Sequence, residues 1–205
     1  MTGPATNRAE RLRLHDRLDL ADRAVALLRS KEDVLRREES RLRGHVERTG
    51  AQWARSLEEA TTWLLRARAL GAGDHLGAGS GPGRPEVPAT VELDWQRSMG
   101  VGYPGEVVAR PGRGGPPVGT AALAPAASVF GRALEAGARH AAAGTAHQRV
   151  EQELLATRRR RRSLDRRLRP RLVAEIHRLD LALDERERDA ALRVRLATAG
   201  GEVAP

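Results

Sequence analysis

The sequence predicts a mainly α fold, a long antiparallel two-helix coiled coil that carries a small irregular or β-hairpin tip. Residues 7–70 and 128–196 contain a single proline between them and repeat apolar residues at heptad spacing. The segment between these stretches is rich in glycine and proline. We therefore expect four regions: a helix over 1–70, the tip over 71–127, a second helix over 128–196 and a tail over 197–205.

The first helix is predicted by a seam of apolar side chains. Between residues 14 and 70, thirteen of the seventeen a and d positions of a heptad are apolar. Glu32 and Glu39 interrupt this seam, and we interpret them as positions that set the register or face a partner. Gly71 suits the residue just beyond a helix end, because glycine adopts the left-handed conformation easily.

The middle segment predicts a link followed by a hairpin. Residues 71–88 hold too much glycine and proline for a helix. Val91, Leu93 and Trp95 then alternate with acids, as in a half-buried strand, and residues 106–110 are its expected partner. Residues 111–120 are rich in turn formers.

Residues 100–105, "GVGYPG", match the G-x-G-x-x-G spacing of dinucleotide-binding loops. That function needs a helix directly after the loop and an acid about 20 residues further on. A strand-like run and a proline-rich run follow instead, so we interpret the motif as a turn.

The second helix is predicted to start near Pro125 and Ser128 and to end near Leu196. Pro170 lies inside it, and an internal proline costs about 3 kcal/mol, so we expect a bend there. The predicted seam comprises Val150, Leu154, Leu164, Leu168, Leu172, Ile176, Leu179, Leu183, Ala190 and Val194.

Several kinds of chemistry are excluded or unsupported. Without cysteine there is no disulfide, thiolate metal site or cysteine nucleophile. The six histidines are scattered, and the only lysine, Lys31, is remote from any glycine-rich loop. We predict no catalytic, cofactor-binding or metal-binding residues. No apolar run of about 18 residues is present, and the N-terminus lacks a signal peptide, so we expect an intracellular protein.

Positive charge is concentrated in one place. Residues 157–171 hold nine arginines and one acid, within a chain of net charge +9. Nucleic acid is one possible partner, since arginine neutralises phosphate. However, no aromatic residue lies among these arginines to stack on bases. Docking on an acidic protein surface explains the charge equally well, and we favour it over nucleic acid and over a merely solvated face.

Several motifs in the two helical stretches resemble the D subunit of the V/A-type (vacuolar/archaeal-type) rotary ATPases and ATP synthases. A leucine-rich run ends in a family pattern matched by Leu27, Leu28, Lys31, Asp33 and Leu35. The second stretch matches an arginine pair and a downstream proline at Arg159, Arg160, Leu164, Asp165 and Pro170. Near its end it matches a third pattern at Glu185, Arg186, Glu187, Arg188, Leu192, Arg193 and Arg195. The family's asparagine and alanine are replaced by Arg162 and Ser163.

This resemblance implies a non-catalytic central-stalk rotor protein that transmits torque between a nucleotide-hydrolysing head and an ion-translocating membrane ring. The implied partners are the A and B subunits, the F subunit and the subunit that connects the stalk to the ring. The implied location is cytoplasmic, with membrane association only through the complex, and no cofactor or direct contact with nucleic acid is expected. A coiled-coil scaffold or a nucleic-acid-associated protein that uses residues 158–171 is the alternative. We expect partner contacts at Arg159, Arg160, Arg161, Arg162, Arg166, Arg167, Glu185, Arg186 and Arg188.

Overall fold

The computed structural model describes residues 4–72, 89–110, 112 and 121–200. Its elements, in chain order, are helix α1 (Pro4–Ala69), strands β1 (Thr90–Ser98) and β2 (Val101–Arg110), helix α2 (Leu123–Ser163), a π-turn (Leu164–Leu168) and helix α3 (Arg169–Gly200). The predicted mainly α fold with a β-hairpin is confirmed. Most of the predicted link and of the turn-rich segment, residues 73–88 and 113–120, lies outside the described residues, as do residues 201–205 of the predicted tail.

The chain divides into two compact units. One comprises residues 1–32 and 156–205, and the other comprises residues 33–155. We call them the terminal unit and the hairpin unit, after the chain termini and the β-hairpin that they contain.

In the terminal unit, the first part of α1 runs antiparallel to α3. Leu14 and Ala21 of α1 form a buried cluster with Leu172 and Ile176 of α3. Ion pairs border this cluster, among them Arg11 with Asp180, whose nitrogen and oxygen are 2.7 Å apart. Residues later in α1 contact residues earlier in α3. The two helices are therefore antiparallel, as the heptads predict.

In the hairpin unit, the rest of α1 runs antiparallel to α2. Leu35 and Leu42 pack with Val150 and Leu154 at one end, and Ala67 packs near Leu123 at the other. Between these ends, small residues allow large rings to pack against the facing helix. A Cβ atom on Gly137 would lie 3.0 Å from the indole nitrogen of Trp53.

The heptad seam of α1 is confirmed along its length. Every predicted a and d position is buried or half-buried except Trp53 and Leu70. Glu32 and Glu39 are themselves buried, at 5% and 7% exposure, so they face the neighbouring helix within the chain. Gly71, with φ of 84°, follows the helix end as predicted.

The hairpin is confirmed, but its burial was predicted wrongly. Val91, Leu93 and Trp95 of β1 are 54%, 45% and 56% exposed, whereas β2 buries Tyr103, Val107 and Ala109. The strand that packs on the helices is therefore β2. The sequence alternation of β1 could not show this, since an alternating strand has one apolar face whether or not anything covers it.

The prediction of a turn over residues 100–105 was also wrong for most of that motif. The turn is limited to Met99 and Gly100, both with positive φ (48° and 85°), and β2 begins at Val101. Two-residue hairpins favour such a turn because its twist matches that of the strands. β2 therefore begins five residues before the predicted strand at Glu106.

The second helical stretch is longer than predicted at both ends. It begins at Leu123 and ends at Gly200. Its predicted seam is correct as far as Leu183, but Ala190 and Val194 are exposed. Because Arg8, near the start of α1, already contacts Glu187, few residues of α1 remain to cover the end of α3. A π-turn lies directly before Pro170, and the bend expected there stays a prediction.

Candidate functional site

The arginine-rich segment, residues 157–171, spans the end of α2, the π-turn and the start of α3 in the terminal unit. Apart from Arg160, its arginines fall into two groups according to whether an acid of the same unit neutralises them. The first group comprises Arg158, Arg161, Arg169 and Arg171. The second group comprises Arg159, Arg162, Arg166 and Arg167, which we call the arginine stripe.

Within the first group, two arginines bind the buried carboxylate of Glu32 on α1. The Nε atoms of Arg158 and Arg161 lie 3.1 and 2.9 Å from its two oxygens. Burial alone would raise the pKa of Glu32, but hydrogen bonds from Arg161 and Arg158, together with their charges, hold it below its ordinary value. Glu32 is therefore ionised at neutral pH and ties α1 to α2.

A second set of ion pairs surrounds the π-turn. Arg169 binds Asp22 of α1 and also Asp165, four residues earlier in its own chain, with a nitrogen–oxygen distance of 3.0 Å for the latter. Arg29 of α1 approaches Asp165 to 3.9 Å. The contacts of Arg29 and Asp22 therefore join α1 to Asp165 within the π-turn and to Arg169 directly after it.

The arginine stripe lies on the outside of the helix. Its four members are exposed, and none forms an ion pair or hydrogen bond among the residues that the structure describes. Arg159, Arg162 and Arg166 follow one another at steps of three and four residues, so they share one helix face. The stripe therefore leaves four positive charges uncompensated at the surface of the terminal unit, among the residues that the structure describes.

The structure separates the predicted contact residues. Arg160 is exposed beside the stripe, whereas Arg161 is half-buried and binds Glu32. Glu185, Arg186 and Arg188 are exposed on α3, about 20 residues along the helical stretch, or roughly 30 Å away at 1.5 Å per residue. The stripe and this second group are therefore separate surfaces.

Glu32 is the site residue whose role the sequence left undecided between setting the register and facing a partner. The sequence did indicate that Glu32 has a partner on the facing helix, because a carboxylate at a heptad core position requires a cation there. The sequence did not show which arginines would supply it, because apolar residues mark no seam position between Leu154 and Leu164.

The hairpin unit contains a related arrangement. The buried Glu39 accepts a hydrogen bond from Nε2 of His147 at 2.9 Å and one from Arg43 at 2.5 Å. Burial opposes ionisation, but His147 and Arg43 together hold the pKa of Glu39 below its ordinary value. The Tyr103 hydroxyl donates to Glu38 at 2.6 Å, which joins β2 to α1.

A cavity of about 360 Å³ lies in the hairpin unit between β2 and the helices. Its polar lining includes Arg41, His45, Gln52, Gln96 and Arg139. Burial, with the charges of Arg48 and Arg41, lowers the pKa of His45. Arg41 and Arg139 also bind acids of their own helices, namely Glu38 and Glu135, which partly neutralise their charge.

Two other features are absent from the described part of the chain. No group of three or more His, Asp or Glu residues is placed there to hold a metal ion. None of the described helices is both long and apolar enough to cross a membrane.

Comparison with known proteins gives a consistent result. The sequence profile of the family of ATP synthase D subunits matches residues 10–199. A V-type ATP synthase D subunit of Anaeromyxobacter sp. (strain Fw109-5) is 32% identical over 203 residues, which cover 95% of this chain and 93% of that protein. The protein of the same description in Anaeromyxobacter dehalogenans (strain 2CP-C) is 32% identical over 199 residues, covering 95% of both chains. The chain therefore belongs to the family of ATP synthase D subunits.

Proposed function

We propose that this protein is a central-stalk rotor subunit of a V/A-type ATPase or ATP synthase. In this role it transmits torque between the nucleotide-hydrolysing head and the ion-translocating membrane ring. It hydrolyses no nucleotide itself, works in the cytoplasm and meets the membrane only through the complex. The domain roles follow the predicted regions, with the helical regions as the shaft and residues 71–127 as its tip.

The observation that carries this proposal is the pairing of the helices in both units. In each unit, α1 packs antiparallel on the second helical stretch through a heptad seam. A buried carboxylate of α1 is bound across that seam, Glu32 by two arginines and Glu39 by His147. Such pairing resists sliding of one helix along the other, because sliding would break the ion pairs and leave a buried carboxylate uncompensated. A protein that transmits torque requires this resistance.

The proposed partners are the A and B subunits, the F subunit and the subunit that connects the stalk to the ring. The arginine stripe is proposed to face acidic residues of the surrounding subunits or of the F subunit, with Arg160 at its border. Exposed Glu185, Arg186 and Arg188 form a second proposed contact. A surface of mixed charge suits a shaft that turns against its neighbours, because it offers them little apolar area to grip.

The proposal is tested by removing the protein from its complex and restoring it. Membranes that lack this chain should hydrolyse ATP without ATP-driven ion transport, and adding back the chain should restore the transport. Ion transport that proceeds equally well without the chain would exclude a rotor role.

The arginine stripe allows a sharper test. Replacing Arg159 and Arg166 by glutamate should weaken binding to the partner subunits by about tenfold, since each exposed charge contact contributes up to about 1 kcal/mol. The matched control replaces Arg13 and Arg17, which are exposed on α1 and have no ion pair among the described residues. Binding affinities measured with purified partners should fall for the first variant and change little for the second. An equal fall in both would mean that only net charge matters.

A nucleic-acid-associated scaffold is the second candidate, and the unpaired arginine stripe is the observation that favours it. Binding to phosphates would show a steep dependence on salt, because each neutralised phosphate releases counterions. Titration of the full chain with a random-sequence duplex at two salt concentrations distinguishes the candidates. Submicromolar affinity at physiological salt, lost in R159E/R166E, would favour the scaffold.

A further inference from the structure

The core seam of the second helical stretch changes its spacing once in the terminal unit. It runs through Thr157, Arg161, Leu164, Leu168, Leu172, Ile176, Leu179 and Leu183, all buried or half-buried. Successive seam residues lie 4, 3 and 4 positions apart as far as Leu168. Two further intervals of 4 reach Ile176, and intervals of 3 and 4 then lead to Leu183. An uninterrupted heptad would continue from Leu168 at Arg171 and Glu175. The chain therefore carries one residue more than the heptad needs.

The π-turn lies where this spacing changes. The backbone N–H of Arg169 donates to the carbonyl of Leu164, five residues earlier, instead of the usual four. A π-turn therefore accommodates one extra residue within a helix. Without it, Arg171 and Glu175 would turn toward α1 in place of Leu172 and Ile176, which are buried in the cluster with Leu14. The burial of these apolar side chains therefore maintains the π-turn.

Pro170 explains why the extra residue is accommodated here. Proline has no N–H, so one carbonyl of the preceding turn lacks its usual donor in any helical conformation. Because Pro170 already interrupts the backbone hydrogen bonds of the helix, a π-turn costs less free energy beside it than elsewhere. The ion pairs of Asp165 with Arg29 and of Arg169 with Asp22 then attach both ends of the π-turn to α1.

We infer that the π-turn is a joint built into the helix pair, the place at which the interior of the second helical stretch opens first. Two features weaken its backbone: the hydrogen bonds of a π-turn are less well aligned, and Pro170 removes one altogether. The ion pairs and the apolar seam on either side keep α1 and α3 in register while the joint opens. The joint is a property of the chain alone and stands apart from the proposed rotor role.

Hydrogen exchange on the full-length chain tests the joint. Amides of residues 166–169 should exchange at least about tenfold faster than those of residues 158–161 and 174–177 in the flanking turns, because local opening sets the exchange rate. The P170A variant should slow exchange at 166–169, since it restores a donor. Equal protection across the three segments would overturn the inference.

Deleting one residue tests whether the second helical stretch contains one residue more than the heptad needs. Removing Arg171, which is exposed and lies between the seam residues Leu168 and Leu172, should restore the heptad steps, convert the π-turn to α-helix and slow exchange at residues 166–169 at least about tenfold. The midpoint of thermal unfolding of this deletion variant should equal or exceed that of the parent chain. The matched control removes His177, also exposed, where the heptad has no residue to spare, and its midpoint should fall clearly. If the Arg171 deletion unfolds the chain as readily as the His177 deletion, the inference fails.

Discussion

Glu32 occupies a core position of the α1 heptad that an apolar residue would usually fill. Its carboxylate is only 7% exposed and binds two arginines of the facing helix. Such a buried ion pair adds little net stability compared with apolar packing, but removing one partner leaves the others uncompensated. The main effect of these contacts is therefore to select one alignment of α1 with α2, because Glu32 lies beside both arginines in that alignment only.

Replacing Glu32 by glutamine should lower the free energy of unfolding by about 1–3 kcal/mol at pH 7. The neutral amide accepts weaker hydrogen bonds and leaves the charges of Arg158 and Arg161 facing each other. Chemical denaturation of the full chain measures the change. The control is Glu47→Gln on the exposed side of α1, which should change the free energy by less than about 0.5 kcal/mol. A loss no larger than the control's would contradict the role of Glu32.

The same ion pair predicts a pH dependence. Since the pKa of Glu32 is lower in the folded chain than its ordinary value of 4.5, the unfolded chain takes up a proton first as the pH falls. The stabilisation by Glu32 is thus complete well above pH 4.5 and is lost as the pH falls through the folded-state pKa. Denaturation curves should show that E32Q loses less stability than the parent as the pH falls from neutral through this range. Parallel losses in the two proteins would contradict this.

At the scale of elements, the hairpin depends mainly on one strand for its position. β2 buries Tyr103, Val107 and Ala109 against the helices, whereas β1 pairs with β2 and reaches α2 through Trp95, whose ring lies 5.0 Å from the guanidinium carbon of Arg149. The connecting turn places Met99 at φ of 48°, a conformation that is unfavourable for a residue with an unbranched apolar side chain. Asparagine tolerates this conformation better.

The Met99→Asn variant should therefore stabilise the hairpin by about 0.5–1 kcal/mol. Hydrogen exchange at the paired amides of β1 and β2 measures this change directly. Met99→Ala serves as the control, because alanine removes the same side chain without easing the positive φ. Equal protection in the asparagine and alanine variants would show that the turn conformation does not limit the hairpin.

The sequence predicted these elements unevenly, for physical reasons. The heptad of α1 predicted its buried face almost completely, since a seam of that length has one consistent phase. The four-residue steps from Leu164 to Ile176 indicate one extra residue, but an internal proline such as Pro170 by itself predicts a bend, and the sequence does not distinguish a bend from a π-turn. Which hairpin strand would be buried depended on the helices beneath it, and the alternation in β1 carries no information about them.

At the scale of the whole molecule, the arginine-rich segment, residues 157–171, differs from the rest of the chain in its concentration of positive charge. Among the arginines predicted to contact partners, Arg161 instead binds Glu32 of its own unit. Arg158, Arg169 and Arg171, which were not among the predicted contacts, also bind acids of this unit. The sequence alone could not divide the segment, because the division requires the position of α1. What remains for a partner is the arginine stripe, a narrower surface than the sequence suggested.

The central claim is that this chain works as a rotor subunit within a V/A-type complex. The most direct measurement is the recovery of partners by the tagged full-length chain from nuclease-treated, detergent-solubilised membranes, with identification by mass spectrometry. We predict recovery of the A and B subunits together with the F subunit, at reduced yield for R159E/R166E. Recovery of nucleic-acid-binding proteins without any ATPase component would contradict the rotor role.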